Sequence, residues 1–133
     1  MYIDKDGTNK ILQEEYKNLT GIALIGYIKN IYEVYVNTND VGEEPHFHIR
    51  LKNSWDKFHS CIKILSCEYF EHEEKEDVLN SELKQSLVTF LQNKDEEELN
   101  KTHWQVLVTE WNRNNPTQKV DRNIEMPNYL DLK

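Results

Sequence analysis

Four stretches between residues 21 and 70 read as strands, two of them alternating apolar and polar positions with a two-residue period. GIALIGYI (21–28) is rich in β-branched and aromatic residues, and IYEVYVN (31–37) sets Tyr32, Val34 and Val36 against Ile31, Glu33 and Tyr35. HFHIRL (46–51) sets Phe47, Ile49 and Leu51 against His46, His48 and Arg50. FHSCIKILSCEYF (58–70) reads as a fourth, long strand. Turn-forming residues at Lys29-Asn30, Asn37 to Pro45 and Lys52 to Lys57 separate the runs, and such links are too short for the crossovers that parallel neighbours need. A four-stranded antiparallel meander over about 21–70 is expected.

From Asn80 the apolar period lengthens to that of a helix. Asn80 is a good N-cap, and Leu83, Leu87, Phe90 and Leu91 fall on one stripe, predicting a helix over about 80–92. A second helix, over about 96–113, carries Leu99, Trp104, Leu107, Val108 and Trp111 and stops at Asn114-Asn115-Pro116. The fold class is therefore α+β, a sheet covered on one face by two amphipathic helices. One domain spans 1–133, with 1–20 as an N-terminal helix or arm and 117–133 as an irregular tail that Ile124, Met126, Tyr129 and Leu130 could pin down. Thr8 can cap a short helix from Asn9 to Leu19, with a tight hairpin at Asp6-Gly7 as the alternative. Phe47, Ile49 and Leu51 belong against the helices, so His46, His48 and Arg50 are expected to point away, where a ligand or partner can reach them.

Charge narrows the list of partners. The net charge is −8, and residues 71–100 hold most of it, with EHEEKED (71–77) and DEEE (95–98). Phosphate-backbone binding needs clustered Lys and Arg, so direct nucleic-acid binding is not expected, whereas a protein with a basic surface is. No apolar run approaches a membrane span, and MYIDKDGTNK has no signal-peptide core, which together predict a cytoplasmic protein. The two cysteines, Cys61 and Cys67, would lie about 20 Å apart on one strand and are expected reduced.

The sharpest chemistry is the His46/His48 pair. Residues i and i+2 on a strand project from one face and lie close enough to share an ion. His59 and Cys61 have the same spacing on the next run, and Asp40, Glu43 and Glu44 lie just upstream. A metal set of His46, His48 and His59, completed by Cys61 or a carboxylate, would suit zinc or another borderline divalent ion. The competing reading uses no cofactor. In it His46, His48 and Arg50, with Asp40 and an exposed Trp55 in the KNSWDK turn, form a contact surface for another protein. Tyr27, Tyr32 or Tyr35 on the same face would leave it too apolar to sit bare, and a homodimer would cover it. No serine elbow, glycine-rich phosphate loop or zinc-protease helix motif is present, so the sequence leans away from an enzyme.

YVNTND…EPHFHIRL, followed by LNSELKQSLVTFL, HWQVLVTEWN and IEMPNYLDL, resembles a family of small bacterial proteins of unknown function. Members are often encoded near toxin–antitoxin modules and in mobile elements. Asn39, Asp40, Pro45, His46 and His48 match the family's Asn-Asp…Pro-His-x-His opening, and the resemblance covers residues 31–131. It implies the same sheet-then-helices architecture. It also implies an accessory or antagonist role on a bacterial or phage mobile element, anti-defence or antitoxin-like. The leading expectation is a non-enzymatic interaction module; the alternative is a His-based metal-binding protein or metal-dependent hydrolase.

Overall fold

The computed structural model describes residues 21–38, 42–54, 56–71 and 77–133. The expected Asn9–Leu19 helix, Asp40, Trp55 and most of the 71–77 acidic run lie outside the described residues. Strands β1 (Ile22–Ile28), β2 (Tyr32–Asn37), β3 (His46–Leu51) and β4 (His59–Lys63) form one antiparallel sheet in sequence order. Helices α1 (Ser81–Gln92) and α2 (His103–Asn114) follow, then a short 3-10 turn at Tyr129–Asp131. The α+β architecture is as the periodicity predicts. No helix among the described residues is long and apolar enough to cross a membrane.

Local chemistry explains the joints. Lys29 and Asn30 both take left-handed backbone angles (φ 52° and 57°), and Ile31 N–H donates to the Ile28 carbonyl at 3.0 Å. That is the two-residue turn whose twist matches a hairpin. A bulge between Leu24 and Gly26 re-aims the end of β1. It brings Gly26 under Phe90, where a β-carbon would sit 2.8 Å from the ring's Cζ.

Three boundaries differ from the sequence reading. The fourth run is not one strand: β4 ends at Lys63 and the chain turns back, with Lys63 N–H bonded to the Glu68 carbonyl and Phe70 N–H to the Cys61 carbonyl. Ser66 Oγ donates to the Glu68 carboxylate, and Tyr129 Oη donates to the Lys63 and Ile64 carbonyls, so the turn is held from inside and from outside. The 20 Å separation expected of Cys61 and Cys67 therefore does not apply, although both thiols are free.

The second helix starts at His103, not near 96, because Thr102 and Gln105 form a capping box there. Residues 95–101 instead form a turn in which the Asp95 carboxylate accepts from the Glu97 and Glu98 N–H groups. Leu99, read as helical, stands exposed on that turn. Leu130, read as a tail anchor, is exposed as well.

The core lies between the sheet and the helices. Val34, Val36, Phe47, Ile49, Ile62 and Ile64 meet Leu87, Leu91, Trp104, Leu107, Val108 and Trp111 in one buried cluster. The tail closes it, because each helical indole needs a hydrogen-bond acceptor. Trp104 Nε1 donates to the Ile124 carbonyl and Trp111 Nε1 to the Gln118 carbonyl, both at 2.9 Å. Tyr129 fills the space between Phe47 and Trp104, and burial holds its phenol protonated far above the ordinary tyrosine range.

Candidate metal centre

Register decides which side chains share the sheet's second face. Tyr35, His48 and Cys61 stand directly opposite one another across β2, β3 and β4, and Glu33, Arg50 and His59 form the next row. Directly opposed residues project to the same side. The period-two assignment of His46, His48 and Arg50 to the side away from Phe47 therefore agrees with the strand pairing.

Their exposure does not follow. His46 is 0 % exposed, His48 2 % and Cys61 0 %, and Tyr35 and Glu33 are buried too. The expected contact surface of outward-pointing imidazoles is corrected: these rings are interior. The reason is that the face covers itself with stacked rings. Arg50 lies 4.5 Å above the Tyr35 ring, Tyr35 stacks on His48 at 4.8 Å, and His48 stacks on His59 at 5.1 Å. Phe70, returned by the unforeseen turn after β4, stacks on His46 at 4.1 Å, and Trp111 approaches the same ring at 5.5 Å. Arg50 is partly exposed, but its Nε is committed to Glu33 at 2.8 Å.

Inside this layer, one donor atom each from His46, His48 and Cys61 lies within 4.8 Å of the other two. Sγ of Cys61 is 3.9 Å from Nε2 of His48. Around one tetrahedral zinc, with Zn–N near 2.0 Å and Zn–S near 2.3 Å, nitrogen and sulfur donors sit about 3.5 Å apart. Small side-chain rotations would close the difference. The hydrogen bonds also select the coordinating nitrogens. His46 Nδ1 bonds the Glu44 carbonyl at 2.7 Å, which requires the proton on Nδ1 and leaves Nε2 as the basic atom. His48 Nε2 accepts from Asn37 Nδ2 at 3.1 Å, so its Nδ1 carries the proton and donates to His59 Nε2 at 3.0 Å. His46 is thus held in the tautomer a metal needs by the Glu44 carbonyl behind it, whereas the Nε2 lone pair of His48 is taken by Asn37, whose amide must turn aside before that nitrogen can coordinate.

His59 accordingly stands behind His48 instead of beside it. Its Nε2 contacts His48 Nδ1 and, at 3.1 Å, Tyr35 Oη. The set His46, His48, His59 expected from sequence is gathered differently, with Cys61 as the third donor. The cause is register: Cys61 pairs with His48, whereas His59 pairs with Arg50 one row away. Burial, opposed by the Arg50 charge, keeps the Tyr35 phenol protonated well above its ordinary range. Cys67 is elsewhere, its Sγ on the Asn128 carbonyl, with burial and then Asp131 pushing its thiol up.

Comparison with known protein families, curated proteins and solved structures finds no match to this chain. Function is accordingly read from the donors themselves. Two imidazoles and one thiol are a borderline-to-soft set, suited to zinc, cobalt or copper far better than to magnesium or calcium.

Proposed function

We propose that this protein binds a single divalent transition ion, zinc by preference, through Nε2 of His46, Nε2 of His48 and the Cys61 thiolate. The observation that carries the reading is the convergence of three buried donors, with a partner at Nδ1 of each ring, the Glu44 carbonyl for His46 and His59 for His48. The ion would tie β3 to β4 and release protons on binding, since each donor must be deprotonated to coordinate. A binding role is favoured over hydrolysis: a hydrolytic zinc keeps a position open to water and substrate, and these donors are sealed. The test is equilibrium dialysis of the purified chain against zinc, with elemental analysis. One equivalent bound at pH 7.5, with apparent affinity weakening steeply as the pH falls toward about 5.5, is expected. Uptake far below one equivalent would sink the reading.

A second reading concerns the wider role. An acidic accessory protein acting on a partner with a basic surface, as the resemblance of residues 31–131 implies, is supported by the turn between the helices. Glu96, Glu97, Glu98 and Leu99 are all exposed there, and Leu99 is 68 % exposed. Carboxylates around one apolar side chain suit a basic protein surface, the charges steering encounter and the leucine docking. This turn then takes the place of the buried histidines as the proposed contact. Glu96→Lys/Glu97→Lys/Leu99→Ala is expected to lose a partner that the parent chain captures from bacterial lysate. Equal capture by both would discard the assignment.

A further inference from the structure

An unprotonated imidazole nitrogen has one lone pair, which serves either a hydrogen-bond donor or a metal ion and not both at once. Nε2 of His48 is one of the three proposed ligand atoms, and here it accepts from Nδ2 of Asn37 at 3.1 Å. Strand parity puts Asn37 there. It ends β2, two residues beyond Tyr35, and Tyr35 stands directly opposite His48. The Asn37 backbone is held, since Asn37 pairs with Ile22 of β1 and the Thr38 N–H bonds the Gly21 carbonyl at 2.9 Å. The side chain is held less firmly, because an amide torsion is broad and this residue is half-buried, at the border of solvent.

We propose that Asn37 regulates the site: its amide caps Nε2 of His48 in the empty protein and rotates aside to admit the ion. This rests on the metal reading above and adds to it a control of affinity. The capped form cannot coordinate through that nitrogen, so the apparent dissociation constant is that of the open form divided by the open fraction. A neutral hydrogen bond of ordinary net strength favours the capped form roughly 2- to 10-fold. The cap also satisfies a buried nitrogen that no ion yet holds. When the amide leaves, Nε2 stays the basic atom, because His59 holds the other proton position of the ring through Nδ1 at 3.0 Å. Only a side chain moves, and β2 and β3 keep their register. Asn37 therefore acts on the empty state alone, slowing capture of the ion and leaving its release untouched.

The experiment compares Asn37→Ala with the parent, both as the full chain. Zinc affinity is measured by competition with a chromophoric chelator, capture by rapid mixing, and release by the rate of transfer to excess chelator. Asn37→Ala is expected to bind zinc roughly 2- to 10-fold more tightly, with capture faster by the same factor and release unchanged. A gain of this kind separates a removed cap from a damaged fold, which would weaken binding. A second measurement needs no variant. In the isotope-labelled parent chain, the NMR signals of the Asn37 side-chain amide should move when one equivalent of zinc is added. Affinity unchanged or weakened in Asn37→Ala, or amide signals indifferent to bound zinc, would overturn the proposal while zinc uptake by the parent left the three-donor site standing. Weaker binding with faster release would make Asn37 a holder of the ion and not its cap. Zinc uptake by neither chain would overturn the proposal and the metal reading together.

Discussion

Cys61→Ser will bind zinc on the order of 100- to 1,000-fold more weakly than the parent chain. Structural zinc sites are worth about 10–16 kcal/mol over four ligands, so one ligand carries roughly 2.5–4 kcal/mol. Serine fills nearly the same volume at a position that is 0 % exposed, so the apo protein should keep its fold and lose only the soft donor. The comparison that gives the result its meaning is His59→Gln. His59 stands behind His48, hydrogen-bonded to its Nδ1, and as an outer-shell partner its loss should cost only about 10- to 100-fold. Thermal unfolding gives a second readout. Zinc at about 1,000 times its Kd should add roughly 4 kcal/mol to the parent chain, and the same concentration only about 0.4–1.4 kcal/mol to Cys61→Ser. If His59→Gln abolished binding and Cys61→Ser spared it, the donor set would be three histidines and the register argument would fail.

Trp111→Ala will destabilise the protein by about 3–5 kcal/mol, the range for truncating a fully buried indole. Three losses combine there. Trp111 is 0 % exposed within the sheet–helix core, its Nε1 donates to the Gln118 carbonyl that begins the tail's return, and its ring stands 5.5 Å from that of His46. Since domains of this size are stable by only about 5–15 kcal/mol, the variant should sit near the edge of folding. Its denaturant midpoint should fall accordingly. Leu99→Ala is the control, because Leu99 is 68 % exposed and its truncation should stay within about 0.5 kcal/mol of the parent. Similar midpoints for Trp111→Ala and the parent would mean that the helix does not seal the core as described. A zinc-dependent recovery of Trp111→Ala would show that the ion and the core support the same end of the sheet.

Much of this architecture was legible in the order of residues. β-Branched and aromatic content marked β1, and alternation from Tyr32 to Leu51 marked β2 and β3 and the side each of their side chains takes, because a strand's faces repeat every two residues. Leu83, Leu87, Phe90 and Leu91 marked α1 with its Asn80 cap, and Trp104, Leu107, Val108 and Trp111 marked the buried stripe of α2. The boundaries that slipped, at Ile64 and near Asp95, lie where side chains bond to local backbone or to one another. Ser66 and Glu68 close one turn, and Asp95 holds the other. Local polar bonding of this kind competes with regular structure without leaving a period to read.

What the sequence determined by itself is parity within each strand: His46 and His48 were bound to share one face, and so were His59 and Cys61, whatever covered them. Tertiary structure decided the two facts on which the proposed site turns. Phe70 and Trp111 reached the His46 ring from elements far along the chain, so a face that alternation assigns to solvent became interior. The pairing of β3 with β4 then chose Cys61 over His59 as the third donor, since a shift of one row exchanges the two. Neither outcome can be read from spacing, because both depend on which distant segments meet.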